Sequence, residues 1–350
     1  MNNLFFLTVM ALLFGSYLAW GFRSLPYERW QMFASIPIRR EENGCWQGIN
    51  LTYYGLLTAN AYLAAVAIFI ILQSAIGQSP GKSLLLVVSI LAVCVPASRL
   101  IALWVEKKAH TFTAGGASFV GALIAPWLAV LFNHLPVAAD SDKLPVIPFL
   151  AAMSIAYCMG EGLGRLACIS YGCCYGKPIE DCSPFLRKIF SRWNFVFFGS
   201  TKKIAYAGGL EGRKVVPVQA MTAIFHITMG LILIAFFLTS HFFAVFLMGA
   251  VLTHGWRICS EFLRADYRGT SKITAYQKMS IISIIYAFVI PGLFVGETVP
   301  VPDIVLGLGA MWEPLMLVFL QTVWIILFLY TGRSGITGSV VSFHVHEDRI

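Results

Sequence analysis

The sequence predicts an all-α fold, a polytopic membrane helix bundle with a small extramembrane head. Three observations carry this expectation. Hydrophobic residues fill 58% of the 350 positions and charged residues 12%, whereas charged residues approach a quarter of an average soluble domain. Nine apolar runs approach the length of about 20 residues needed to cross a hydrocarbon core. The longest break between them, residues 161–216, holds Pro178, Pro184, several glycines and nine Lys or Arg against four acids, and reads as the head.

The expected spans lie near 4–21, 51–73, 83–104, 117–135, 146–160, 217–238, 241–256, 279–296 and 314–331. The first opens on Met1-Asn2-Asn3 with no basic residue ahead of its apolar run. A secretory signal needs a basic start and a small-residue cleavage site, so 1–22 is expected to be a retained anchor. Polar connections are expected at 22–50, with Arg39-Arg40-Glu41-Glu42, and at 105–116 and 257–278. Residues 332–350 form a polar tail.

A net charge of +8 would suggest nucleic acid in a soluble protein, but in a membrane protein charge is first sorted by face. Across nine alternating spans, one face holds only Lys82 and Lys143, with Asp140, Asp142, Glu297, Asp303 and Glu313, and the other holds the remaining 23 of 25 basic residues. No nucleic-acid partner is expected. The positive-inside rule places the basic face, which also carries the long connections, in the cytoplasm.

Ionisable groups at span ends are functional candidates because lipid penalises them unless they are paired or hydrated. Arg99 ends the third span, Arg165 follows the glycines of Gly160-Glu161-Gly162-Leu163-Gly164, and Arg257 and Glu261 stand one helical turn apart. Tyr54 begins the second span. All fall on the basic face. A single arginine there ordinarily snorkels to headgroups. Three converging with a glycine-rich stretch suit a phosphate, which guanidinium clasps through paired N–H donors. A phospholipid is the expected ligand.

The eight cysteines, at 45, 94, 158, 168, 173, 174, 182 and 259, form no disulfide framework of the secreted kind. Cys168, Cys173, Cys174 and Cys182 raise the alternatives of zinc, a disulfide, or small inert thiols filling a tight turn. Zinc sites repeat a C-x2–4-C knuckle, and adjacent cysteines do not easily both point inward, so inert thiols are expected, with no metal and no cofactor. Trp193, Phe195, Phe197 and Phe198 are expected at headgroup level.

These residues carry a family resemblance. Gly164-Arg165-Leu166-Ala167-Cys168-Ile169, with Gly172 and Gly176 after it, resembles the signature Gly-Arg-x-Gly-Asn-Phe of prolipoprotein diacylglyceryl transferases. Five further pieces follow in family order. Tyr53-Tyr54-Gly55-Leu56 resembles Trp-Tyr-Gly-Leu, Arg99-Leu100 resembles Arg-Leu, and Gly115-Gly116-Ala117-Ser118-Phe119 resembles Gly-Gly-x-Ser-Phe. Pro217-Val218-Gln219 resembles Pro-x-Gln, and Arg257 to Arg264 resembles Arg-x-x-x-Glu-Phe-x-Arg. The resemblance covers roughly 50–297, leaving the anchor at 1–22 and the span at 314–331 as additions.

The resemblance implies transfer of a diacylglyceryl group from phosphatidylglycerol to a thiol, as in lipoprotein modification, in a bacterial inner membrane, the acceptor being a protein or a lipid. Such a site needs cations on the departing phosphate and a base for the thiol. Arg165, Arg257 and Glu261, with His254 and Tyr54 among the bases, make up the expected catalytic set. His110 and Glu161 are further bases. Arg99, Gly164, Gly116, Ser118, Gly176, Gln219 and Arg264 make up the expected substrate-binding set. Val120 stands where the family has a histidine after Gly-Gly-x-Ser-Phe. A rival reading keeps the phosphate clamp in a non-catalytic lipid-binding or transport protein.

Overall fold

The computed structural model describes residues 3–106, 113–134, 143–266, 273–294 and 299–350. His110, Asp140, Asp142 and Glu297 lie outside the described residues. Among the described residues, nine helices are long and apolar enough to span a membrane. They are α1 (Asn3–Ser24), α2 (Tyr53–Ala75), α3 (Pro80–Glu106), α4 (Ala114–Asn133), α5 (Val146–Tyr171), α8 (Val218–Phe237), α9 (Phe242–Glu261), α10 (Ala275–Val289, carried on to Leu293 by a 3-10 turn) and α12 (Pro314–Gly332). Helices α6 (Pro184–Phe190) and α7 (Lys203–Tyr206) belong to the head, and the short α11 (Ile304–Met311) precedes α12.

Local chemistry explains where the helices begin. Thr52 and Thr113 cap α2 and α4 by accepting from Gly55 N and Gly116 N. Thr274 and Gln277 close a reciprocal capping box on α10, satisfying two otherwise orphaned N–H donors. Helix α5 is the buried axis of the bundle and packs against α2, α8 and α9. Helices α3 and α4 pair with each other, α4 leans on α10, and α11 and α12 cover α2.

The fifth span differs from expectation. It was expected to stop near 160, but it continues to Tyr171 and ends on Gly172, whose φ of +68° gives a left-handed cap. The glycines that suggested a turn are helix-packing positions instead. A methyl at Gly160 would press on Ala65 of α2, and one at Gly162 on Ile227 of α8. Small residues let membrane helices approach this closely. At 1.5 Å per residue α5 is about 39 Å long, longer than a hydrocarbon core of about 30 Å. The excess is about 9 Å, or about six residues at that rise, so only the turns after Arg165 extend past such a core, and Glu161 and Arg165 stand just before them.

The head accordingly begins after Tyr171, and most of its apolar interior is continuous with that of the bundle. Strand β3 (Phe195–Val196) pairs with β4 (Lys214–Val215), and Phe195 and Phe197 are buried against each other, with Phe22 of α1 packed on Phe195. These two aromatics therefore fill the head rather than sit in a lipid belt; Trp193 is exposed. Lys202, also fully buried, donates to Leu25 O at 2.9 Å and Ser170 O at 2.7 Å, tying the ends of α1 and α5 together.

The polar stretches at 22–50 and 332–350 are not simple connections. Strands β1 (Met32–Arg40), β2 (Trp46–Thr52) and β5 (Arg333–Val341) form one antiparallel sheet with β2 in the middle. The helical class stands, with this sheet added at the basic face.

Candidate functional site

One cavity gathers side chains from α5, α8, α9 and the segments that follow α5 and α9. Helix α5 supplies Tyr157, Glu161 and Arg165, and α8 supplies Gln219, Thr222 and His226. Helix α9 supplies Trp256, Arg257 and Glu261, with Arg264 just beyond it and Cys174 just beyond α5. Six of the expected residues thus line one cavity: Glu161, Arg165, Arg257, Glu261, Gln219 and Arg264.

The three arginines differ in how they are held. Arg165 bonds the Glu161 carboxylate one turn earlier, and the two side chains are only 14% and 11% exposed. Its Nε is buried with no hydrogen-bond partner among the described residues. Arg257 lies over the Tyr276 ring, 5.6 Å from the centroid, and its guanidinium rests against Gly115, where an added methyl would overlap it. Arg264 forms a bidentate pair with Asp266 at 2.8 and 2.9 Å, both side chains 8% exposed. A fork closed on its own carboxylate is a structural element first; Arg165 retains an unused donor on the cavity wall.

The remaining expected residues are placed around this cavity rather than on it. His254 is buried in α9 and is not among the lining residues. Tyr54 sits edge-on to Tyr171 at 5.6 Å. Arg99 is exposed and bonds the Tyr330 hydroxyl of α12, outside the lining set. Gly116 accepts no larger residue easily, since a methyl would meet Ile101 and Thr113 at 3.0 Å, and Ser118 Oγ donates to Gly115 O at 3.1 Å. Gly164 faces Ala61 of α2. Gly176 bridges to Arg264, and a methyl there would collide with Val216 O. These glycines shape the frame that presents the arginines.

The sequence reading passed over His226, Tyr157 and Trp256. His226 Nδ1 lies 2.9 Å from Thr222 O; a carbonyl only accepts, so Nδ1 carries the proton and Nε2 is left as the acceptor nitrogen. Trp256 Nε1 donates to Thr222 Oγ1 at 3.1 Å, and its ring stacks on Phe225. The available signal was an ionisable residue in the middle of an apolar run.

The cysteines also depart from expectation. Cys168, Cys173 and Cys174 bring their sulfurs within 4.8 Å of one another. Adjacent cysteines converge because Gly172 and Cys174, at φ of +68° and +57°, turn the chain back on the end of α5. Hydrogen bonds from the Cys168 and Cys173 thiols, with Arg264 and Arg165 nearby, hold the Cys174 thiol well below its ordinary pKa. Cys182 stands apart in the head, its Sγ 3.5 Å from Pro178 O.

Comparison with known proteins accords with this geometry. No curated protein matches the chain. The family model described as prolipoprotein diacylglyceryl transferase matches residues 45–292, a stretch that contains every residue of the cavity and leaves α1, β1, α11, α12 and β5 outside it. The chain therefore belongs to the prolipoprotein diacylglyceryl transferase family, whose members are membrane transferases of lipoprotein modification.

Proposed function

We propose that the cavity holds a phospholipid phosphate between Arg165 and Arg257 and transfers the lipid's diacylglyceryl group to a thiol, with phosphatidylglycerol as donor, in a bacterial inner membrane. The observation that carries this reading is the presence of two guanidiniums, from α5 and α9, on the walls of one cavity. In the step proposed, the acceptor sulfur attacks the glyceryl carbon and a carbon–sulfur bond forms. The bond from that carbon to the phosphate oxygen breaks, and its electron pair leaves with glycerol phosphate. Charge grows on the phosphate oxygens as the bond breaks, so preorganised guanidiniums favour the transition state over the ground state.

The thiol's proton needs an acceptor, and Val120 occupies the place of the family's histidine. Of the two buried histidines it is His226 that lines the cavity, with Nδ1 committed to Thr222 O and Nε2 turned to other partners. Glu161 positions Arg165.

The test is purified protein in phosphatidylglycerol vesicles with a cysteine-containing peptide, read by glycerol phosphate release and by the mass of the peptide. Transfer that disappears in Arg165→Ala and Arg257→Ala is the expected result. Bound phospholipid in native mass spectrometry with no glycerol phosphate released would favour the non-catalytic rival.

A further inference from the structure

We infer that Cys168, Cys173 and Cys174 are three thiolate ligands of a soft metal ion of the zinc class, with a fourth coordination position open to the cavity. The inference deepens the transferase reading and rests on it only for the role of the fourth ligand. Four observations support the site itself.

The first is distance. Zinc–thiolate bonds of about 2.3 Å in a tetrahedron separate the sulfurs by about 3.8 Å, and the three sulfurs here already lie within 4.8 Å of one another. The second is number. One disulfide among three thiols leaves the third unused, whereas three thiolates complete the protein share of a metal site that keeps one position open. Cys182, the sulfur that would close such a site, is held in the head against Pro178.

The third observation is charge. A divalent ion on three thiolates carries one net negative charge, and Arg165 Nη1 lies 4.0 Å from Cys168 Sγ with Arg264 on the same cavity wall. The fourth is support for the ligand loop. Gln219 Nε2 donates to Cys173 O at 2.9 Å, the kind of outer contact that orients metal ligands, and Cys174 holds a left-handed φ that a side chain rarely adopts without a reason. Of the three, Cys174 lines the cavity, so a metal held by them would lie beside the proposed phospholipid site.

This placement gives the site a chemical use. Cys168, Cys173 and Cys174 would hold the metal, which would supply positive charge that favours the thiolate form of an acceptor thiol at its open position. That is the activation that Val120 does not provide.

The test uses the full-length chain in detergent under reducing conditions, loaded with zinc or with cobalt(II) and desalted. One metal per chain and a near-ultraviolet sulfur-to-cobalt band are expected. Both should be lost in Cys168→Ser, Cys173→Ser and Cys174→Ser and kept in Cys182→Ser, with a wild-type thermal melting transition of the metal-free protein as the check that each variant folds. Adding a cysteine-containing peptide should strengthen the cobalt band, and its S-methylated form should not. Substoichiometric metal in the wild type, or full occupancy in the three variants, overturns the site; a band indifferent to the peptide overturns the open position. Metal and peptide bound with no glycerol phosphate released would sink the transferase reading and leave the site standing. Undiminished transfer by metal-free protein would do the reverse for the metal's role.

Discussion

The arginines of the cavity are not interchangeable, and each makes its own prediction. Arg165 and Arg257 are expected to lose at least about a hundredfold in turnover when changed to Ala, the scale for removing a preorganised charge stabiliser. Lys should recover little, because a point charge does not replace a planar fork; vesicle assays of the four variants check this. Arg264→Ala is expected to fail differently. It removes a buried bidentate pair with Asp266, so the loss should appear in thermal stability as well as rate. His226→Gln should lower turnover more than His254→Gln does, which separates the cavity histidine from its buried neighbour.

Lys202 adds a prediction about pH, since burial lowers its pKa from 10.5 to about 8. Between those values the unfolded chain binds more protons than the folded one, so stability rises with pH across that window and this residue adds no slope below it. The full change is about 3 kcal/mol. Melting curves from pH 7 to about pH 10.5 should show this rise in the wild type and lose it in Lys202→Met. The arginines, Glu261 and Gln219 were legible in the sequence because motif order and span-end position marked them. His226 was not, because its neighbours read as an ordinary apolar helix until α8 is packed against α5 and α9.

The helices place those residues through glycine contacts. Gly115 leaves room for the Arg257 guanidinium at the first turn of α4, so Gly115→Ala should displace the guanidinium and cost about a hundredfold in kcat/KM, as misplacement on the ångström scale does, with little change in insertion. Gly55 meets Gly332 at the crossing of α2 and α12, where Thr52 Oγ1 also donates to Gly332 O at 2.8 Å. Overpacking of this kind costs about 1–3 kcal/mol. Gly55→Ala is therefore expected to lower the melting temperature and to loosen the sheet beyond it, which hydrogen exchange at β5 would register. Hydropathy made the nine spans readable but misjudged the end of the fifth, because Glu161 and Arg165 resemble a loop until each is seen to pair with the other. The sheet was unreadable locally. Its middle strand owes its second partner to residues almost 300 positions away.

At the scale of the whole molecule, the question is which face the cavity serves. The family's lipoprotein role argues for the outer face, and charge argues for the inner one. Setting aside Arg99, Arg165, Arg257 and Arg264 as site residues leaves nineteen basic residues on the cavity face against two on the other, and discounting the long 161–216 stretch leaves eleven against two. We therefore propose that the cavity face is cytoplasmic and the acceptor a cytoplasmic thiol. Thiol labelling of a cysteine placed at Lys143, with reporter fusions after Arg333, measures this. A cytoplasmic Lys143 and an external C-terminal tail would overturn the charge argument and favour an exported prolipoprotein as acceptor. The same logic predicts poor rescue of a strain depleted of its ordinary prolipoprotein transferase, scored by growth.

The three-stranded sheet also bears on how the molecule is made. Strand β2 emerges early in synthesis, but Trp46 waits for Val341 and Leu51 for Arg333, and pairings so distant along the chain form late. Until α12 has inserted and β5 has been synthesised, β2 keeps one bare edge of unpaired N–H and C=O groups, the sort of edge that recruits other strands. A chain that stops short of Arg333 keeps that edge for good. Pairing with β5 covers the edge of β2 only once α12 is in place, and it passes the open edge outward to β5, which leaves β2 paired on both sides.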